Sequence, residues 1–104
     1  MNNQYEAALV KKIVAHLKTL PRCWWYKTHG GPFVSRSGVP DLIICKDGFF
    51  IGVEVKIAPN TPTPLQKIEL AKIRMAGGIG GVAYSLEDAK ALLAQISTSA
   101  DPGS

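Results

Sequence analysis

The dipeptide Asp47-Gly48 stands between two β-prone runs, Asp41–Lys46 and Phe49–Ile57. Both residues accept the positive φ values that a two-residue hairpin turn needs, so the runs are expected to pair as antiparallel strands. That turn constrains more than the hairpin itself. Alternation places Ile51, Val53, Val55 and Ile57 on one face of the second strand and Phe50, Gly52, Glu54 and Lys56 on the other. Asp41, opening the first strand, falls across from the Glu54 region.

The segments on either side are helical or loop-like in turn. From Gln4 to Leu20, apolar residues recur at helical spacing (Tyr5, Leu9, Ile13, His16/Leu17, Leu20), and Pro21 supplies a stop. Cys23–Thr28 is aromatic and strand-like, and His29–Pro40, rich in Gly, Pro, Ser and Arg, predicts a long loop. Pro59, Pro62 and Pro64 make a loop of the stretch from Ala58. Thr63 can cap a helix with Pro64 at its first position, running to about Ala76 and ended by Gly77-Gly78. A short strand is expected over Gly81–Tyr84. Ser85 with Asp88 three residues on then opens a last helix to about Ile96, followed by a disordered tail from Ser97. The order α-β-β-β-α-β-α implies an α/β sandwich around a mixed central sheet.

A chain of 104 residues holds one modest core, so residues 1–96 are read as a single domain. With 46% apolar and 19% charged residues, it is a globular composition and not a disordered one. No apolar run approaches the roughly 20 residues of a membrane span, and no basic segment leads into an apolar stretch at the N-terminus. A soluble, intracellular protein is expected. Cys23 and Cys45 lie in apolar segments without CxxC or Cys/His spacing, and are read as small buried hydrophobes rather than a disulfide or zinc site. Twelve Lys and Arg against eight Asp and Glu give a net charge of +4, which favours a polyanionic partner, although the basic residues form no run.

Glu54 and Lys56 are charges on an otherwise apolar strand, where burial is costly unless they are paired or coordinated. Gly52, on the same face, is expected to leave space beside them. With Asp41 across the hairpin, three ionisable groups converge. Two carboxylates and a backbone carbonyl make a hard, oxygen-rich site suited to Mg²⁺ or Mn²⁺ and to phosphodiester hydrolysis, with the lysine orienting water or stabilising developing charge. A surface ion pair at a strand end is the simpler explanation of Glu54 and Lys56 alone. Glu6 stands at one edge of the apolar stripe Leu9, Val10, Ile13, Leu17. It is explained equally by a site or by the preference for acids in a first helical turn. Gln66 follows Thr63 by three residues and fits a capping box, which does not prevent it from also facing a site.

The string Ser37-Gly38-Val39-Pro40-Asp41-Leu42, then Glu54-Val55-Lys56, then Gln66 opening the next helix, resembles a VRR-NUC domain. That branch of the PD-(D/E)xK nucleases is similar in layout to archaeal Holliday-junction resolvases, and the resemblance runs from about Tyr5 to Leu93. It implies a restriction-endonuclease-like fold and a catalytic centre of Glu6, Asp41, Glu54, Lys56 and Gln66. The Val55 carbonyl would join Glu6, Asp41 and Glu54 around the metal. The resemblance further implies a Mg²⁺- or Mn²⁺-dependent DNA endonuclease, selective for branched DNA or Holliday junctions. It also implies a homodimer, phage-encoded and acting in a host cytoplasm. No organic cofactor and no membrane are called for.

Lys27, Arg36, Ser37 and the backbone amides of Gly30, Gly31 and Gly38 can donate to phosphate oxygens, so the loop is expected to meet the DNA backbone. His29 is read as a solvated or phosphate-contacting residue and is given no catalytic role. Trp24, Trp25 and Tyr26, falling in an apolar strand, are assigned to core and interface packing in preference to base stacking. For a dimer, Trp24–Tyr26 and Gly77–Gly81 are candidate contact surfaces. Two other functions compete: a catalytically silent nucleic-acid-binding module of the same fold, and a purely structural subunit. Metal-dependent cleavage separates the first from a nuclease, and salt-sensitive DNA binding excludes the second.

Overall fold

The computed structural model describes residues 4–28 and 37–99, with side chains to residue 96. Seven elements follow one another: α1 (Gln4–Leu17), β1 (Cys23–Lys27), β2 (Leu42–Lys46), β3 (Phe49–Val55), α2 (Pro64–Met75), β4 (Ile79–Ala83) and α3 (Leu86–Ser99). This is the expected order. The strands form one sheet in the order β1-β2-β3-β4, antiparallel across the first two junctions and parallel across the last.

The hairpin closes as the sequence predicts. Asp47 and Gly48 have φ of 54° and 85°, the two positive values of a two-residue turn, and Lys46 pairs with Phe49. Asp47 accepts hydrogen bonds from the side chains of Arg22 and Lys46, and its own N–H donates to the Arg22 carbonyl. These two cations, Lys46 before Arg22, hold its carboxyl below the usual carboxylate range.

One face of the sheet is the core. Ile51, Val53 and Val55 on β3, Leu42 and Ile44 on β2, and Ile79 and Ala83 on β4 meet Leu9, Ile13, Val14 and Leu17 of α1 and Ala89 and Leu92 of α3. Gly81 lies against Leu92, where a Cβ would come within 2.6 Å of its Cδ2. α2 lies on the opposite face, over β3 and β4. Gly52 and Gly80 stand side by side across that strand pair, and Ile73 packs over both. The space expected beside Gly52 is therefore filled: a Cβ there would sit 2.8 Å from Ile73 Cδ1 and 3.1 Å from Pro40 Cγ.

Helix starts follow their capping signals. Thr63 Oγ1 accepts from the Gln66 N–H while Gln66 Oε1 accepts from the Thr63 N–H, a complete capping box with Pro64 at the first position. Ser85 Oγ accepts from the Asp88 N–H, and Asp88 Oδ2 accepts from the N–H of Tyr84, one residue earlier than a capping box would reach. β4 begins at Ile79, two residues before the expected start, because Ile79 and Gly80 pair with Ile51 and Gly52. Cys23 and Cys45 are free thiols; Cys23 is half-buried, and burial raises its pKa, but Cys45 is exposed, contrary to expectation. No described helix is long and apolar enough to cross a membrane.

Candidate active site

Asp41 is the last residue before β2. Thr28 anchors it from the end of β1: its N–H donates to the Asp41 carbonyl at 3.0 Å, and its hydroxyl donates to the Pro40 carbonyl at 2.8 Å. From the other side, the Val55 N–H donates to Asp41 Oδ2 at 2.8 Å. The residue is thus held from two strands, its backbone by Thr28 and its carboxylate by Val55. The β2–β3 register pairs Leu42 with Val53, and one residue further it sets Asp41 opposite Glu54.

Glu54 is 2% exposed and Asp41 9%. Glu54 Oε1 is buried without a hydrogen-bond partner, and Oε2 lies 3.7 Å from Lys56 Nζ, too far for a hydrogen bond. Burial, the charge of Asp41, its hydrogen bond and, least, the charge of Glu6 push the Glu54 carboxyl up to about 8, against the opposing pull of Lys56. A second negative charge in this position is strongly disfavoured unless a cation joins it.

The carboxylates open onto a cleft of about 770 Å³ bounded by α1, β1, the ends of β2 and β3, and the first turn of α2. Glu6, Asp41, Glu54, Lys56 and Gln66 all line it, so the five candidate catalytic residues converge on one space. Glu6 is half-buried on the α1 wall, in the helix's first turn. Gln66 lines the cleft while its Oε1 completes the capping box.

Of the expected nucleic-acid contacts, Lys27 is exposed and lines the cleft, and Ser37 is exposed nearby in sequence. Gly38, with φ of 88°, presses against the first turn of α2, where a Cβ would stand 2.8 Å from the Leu65 carbonyl oxygen. Arg36, His29, Gly30 and Gly31 lie outside the described residues. Two residues escaped the sequence reading. Lys11 lines the cleft from α1, and helical spacing from Ala7, also on that wall, could have located it. Thr28 holds Asp41 in place, and only the register reveals it.

Does this site suit a divalent cation? Among the described residues, no three or more of His, Cys, Asp and Glu cluster in the manner of a fully protein-built metal cage. The acidic core is the pair Asp41 and Glu54, with Glu6 on the α1 wall of the same cleft. Mg²⁺ is held by one or two carboxylates, with waters and phosphate oxygens filling its shell. The unpartnered Glu54 Oε1 and the mutual repulsion of the pair match that demand. Asp41 and Glu54 would hold the ion, with Glu6 lining the same cleft; Val55 meets the pair through its N–H, which donates to Asp41 Oδ2.

No family model matches the chain, and no curated protein does. A solved structure described as a VRR_NUC domain superposes with a TM-score of 0.69 over 86% of this chain and 94% of that one, at 26% sequence identity. The chain has the VRR-NUC fold, with three helices and a mixed four-stranded sheet.

Proposed function

We propose that this VRR-NUC fold carries a Mg²⁺- or Mn²⁺-dependent endodeoxyribonuclease. The fold itself implies a nuclease-type, DNA-binding protein. The observation that supports catalysis is the placement of Asp41 against Glu54, buried, with one carboxylate oxygen unpartnered and a lysine beside it. A silent binding module has no use for a carboxylate pair held against its own repulsion.

When bound, the divalent ion would polarise a phosphoryl oxygen and make water more acidic. The protein's own groups do the rest. Lys56 Nζ, held near Glu54 in a mostly buried position, is placed to hold the attacking water or to neutralise charge developing on the phosphate. Lys11 and Lys27 at the cleft offer cations to flanking phosphates. The net charge of +4 favours the approach of a polyanion to the protein. Selectivity for branched DNA and a homodimeric state belong to the same proposal.

The test is a panel of single-stranded, duplex, flapped and four-way DNA incubated with Mg²⁺, Mn²⁺ or EDTA. Cleavage of at least one substrate with metal, absent with EDTA and in Asp41→Asn, is the expected result. A wild-type protein that binds DNA but cleaves none of the panel favours the silent module.

A further inference from the structure

The sheet face that bears the carboxylates continues beyond them. The β1–β2 and β2–β3 registers group its residues into three successive rungs. Trp24, Cys45 and Phe50 form the first, and Tyr26, Ile43 and Gly52 the second. Thr28, Asp41 and Glu54 follow as the third. Rungs on one face are about 7 Å apart, two residues at about 3.4 Å each. Tyr26 is therefore one rung from the carboxylates and Trp24 two.

α2 packs on β3 and β4, and among the described residues of the β1–β2 half Trp24, Tyr26 and Cys45 are exposed and Ile43 is half-buried. Trp24 is 60% exposed and Tyr26 57%, which corrects their assignment to the core; only Trp25, on the opposite face, packs against the core cluster. The two exposed rings lie parallel, 5° apart in plane, with centroids 6.3 Å apart. Large aromatics held out in water beside a site are a sign of something that covers them.

We propose that Trp24 and Tyr26 are a stacking platform for unpaired bases of the DNA strand whose phosphate lies at Asp41 and Glu54. The inference rests on the nuclease reading for the identity of the ligand. Continuity decides the occupant. A strand with its phosphodiester at the third rung has its neighbouring nucleotides above the second and first. The first two rungs carry no charged side chain, so nothing there repels a polyanion, while the parallel rings offer π-faces to bases of any sequence. DNA with unpaired nucleotides beside the scissile bond gains this contact, and blunt duplex, whose bases are stacked on one another, does not.

The test is fluorescence anisotropy of labelled oligothymidylate and of blunt duplex with the full chain in Ca²⁺, a divalent ion that can seat the phosphate, with the DNA checked for intactness on a gel. It compares wild type, Trp24→Ala, Tyr26→Ala and Trp24→Phe, with the mass of each protein measured by light scattering. Both side chains are exposed, so the variants are expected to fold. The affinity for oligothymidylate relative to duplex should fall about ten-fold or more in each alanine variant and recover in part in Trp24→Phe. An unchanged ratio overturns the platform. So does a halved mass in the alanine variants, which would make this face a protein interface. Metal-dependent cleavage by the wild type, run in parallel, judges the nuclease reading separately: no cleavage by the wild type, with the affinity ratio still falling in the alanine variants, would reject the enzyme and retain the platform.

Discussion

Between pH 4.5 and about 8 the metal-free protein should lose stability as the pH rises, and Glu54 is the cause. Its folded pKa lies above its ordinary value, so across that window the folded state binds more protons than the unfolded one. Stability is fully present below pH 4.5 and is lost by pH 8, by an amount on the order of a few kcal/mol. Mg²⁺ should restore it, with a rise in Tm that grows with pH, because the ion favours the ionised pair. Thermal melts at pH 5 and pH 8 with and without Mg²⁺ check this. A melting temperature that rises from pH 5 to pH 8 without metal would show that Glu54 is not strained. Lys56→Ala is expected to lower the cleavage rate by about 100-fold or more while Mg²⁺ binding, read by calorimetry, changes far less. Equal loss of both would make Lys56 a structural partner of Glu54 only.

At the scale of elements, the glycine floor under α2 is the sharpest prediction. Gly52→Ala places a methyl against Ile73 and Pro40, and should destabilise the fold by about 1–3 kcal/mol in urea unfolding. Because Pro40 precedes Asp41, cleavage should fall with it, even under conditions where the variant is fully folded. What the sequence made legible here was set by neighbours close along the chain. The Asp47-Gly48 turn and strand alternation placed Asp41 opposite Glu54, and the Thr63/Gln66 spacing announced a cap. What stayed hidden depends on residues far apart. Gly52 looked like open space because Ile73 and Pro40 are distant in sequence, and Trp24 looked like core because nothing local says that α2 packs on β3 and β4. The start of β4 was hidden similarly: Ile79 and Gly80 become strand by pairing with β3, although glycine pairs argue locally for a turn.

For the whole molecule, the proposed dimer has a simple readout. Light scattering at micromolar concentration should give a mass near twice 11.2 kDa. A two-fold pair would present two clefts to a four-way junction and allow paired incisions. A monomeric mass, together with cleavage of junctions no faster than of duplex, would reject both dimer and junction selectivity and leave the hydrolytic site untouched.

If the buried carboxylate pair serves hydrolysis and not stability, Glu54→Gln separates the two. Removing the charge should leave the metal-free protein as stable as wild type or more so at pH 8, since the repulsion with Asp41 disappears. The measurement is Mg²⁺-dependent cleavage of a labelled DNA substrate by wild type and by folded Glu54→Gln at pH 8, at equal concentration. Turnover by the wild type and none detectable by the variant is expected. Cleavage by Glu54→Gln at the wild-type rate would contradict a hydrolytic role for the pair.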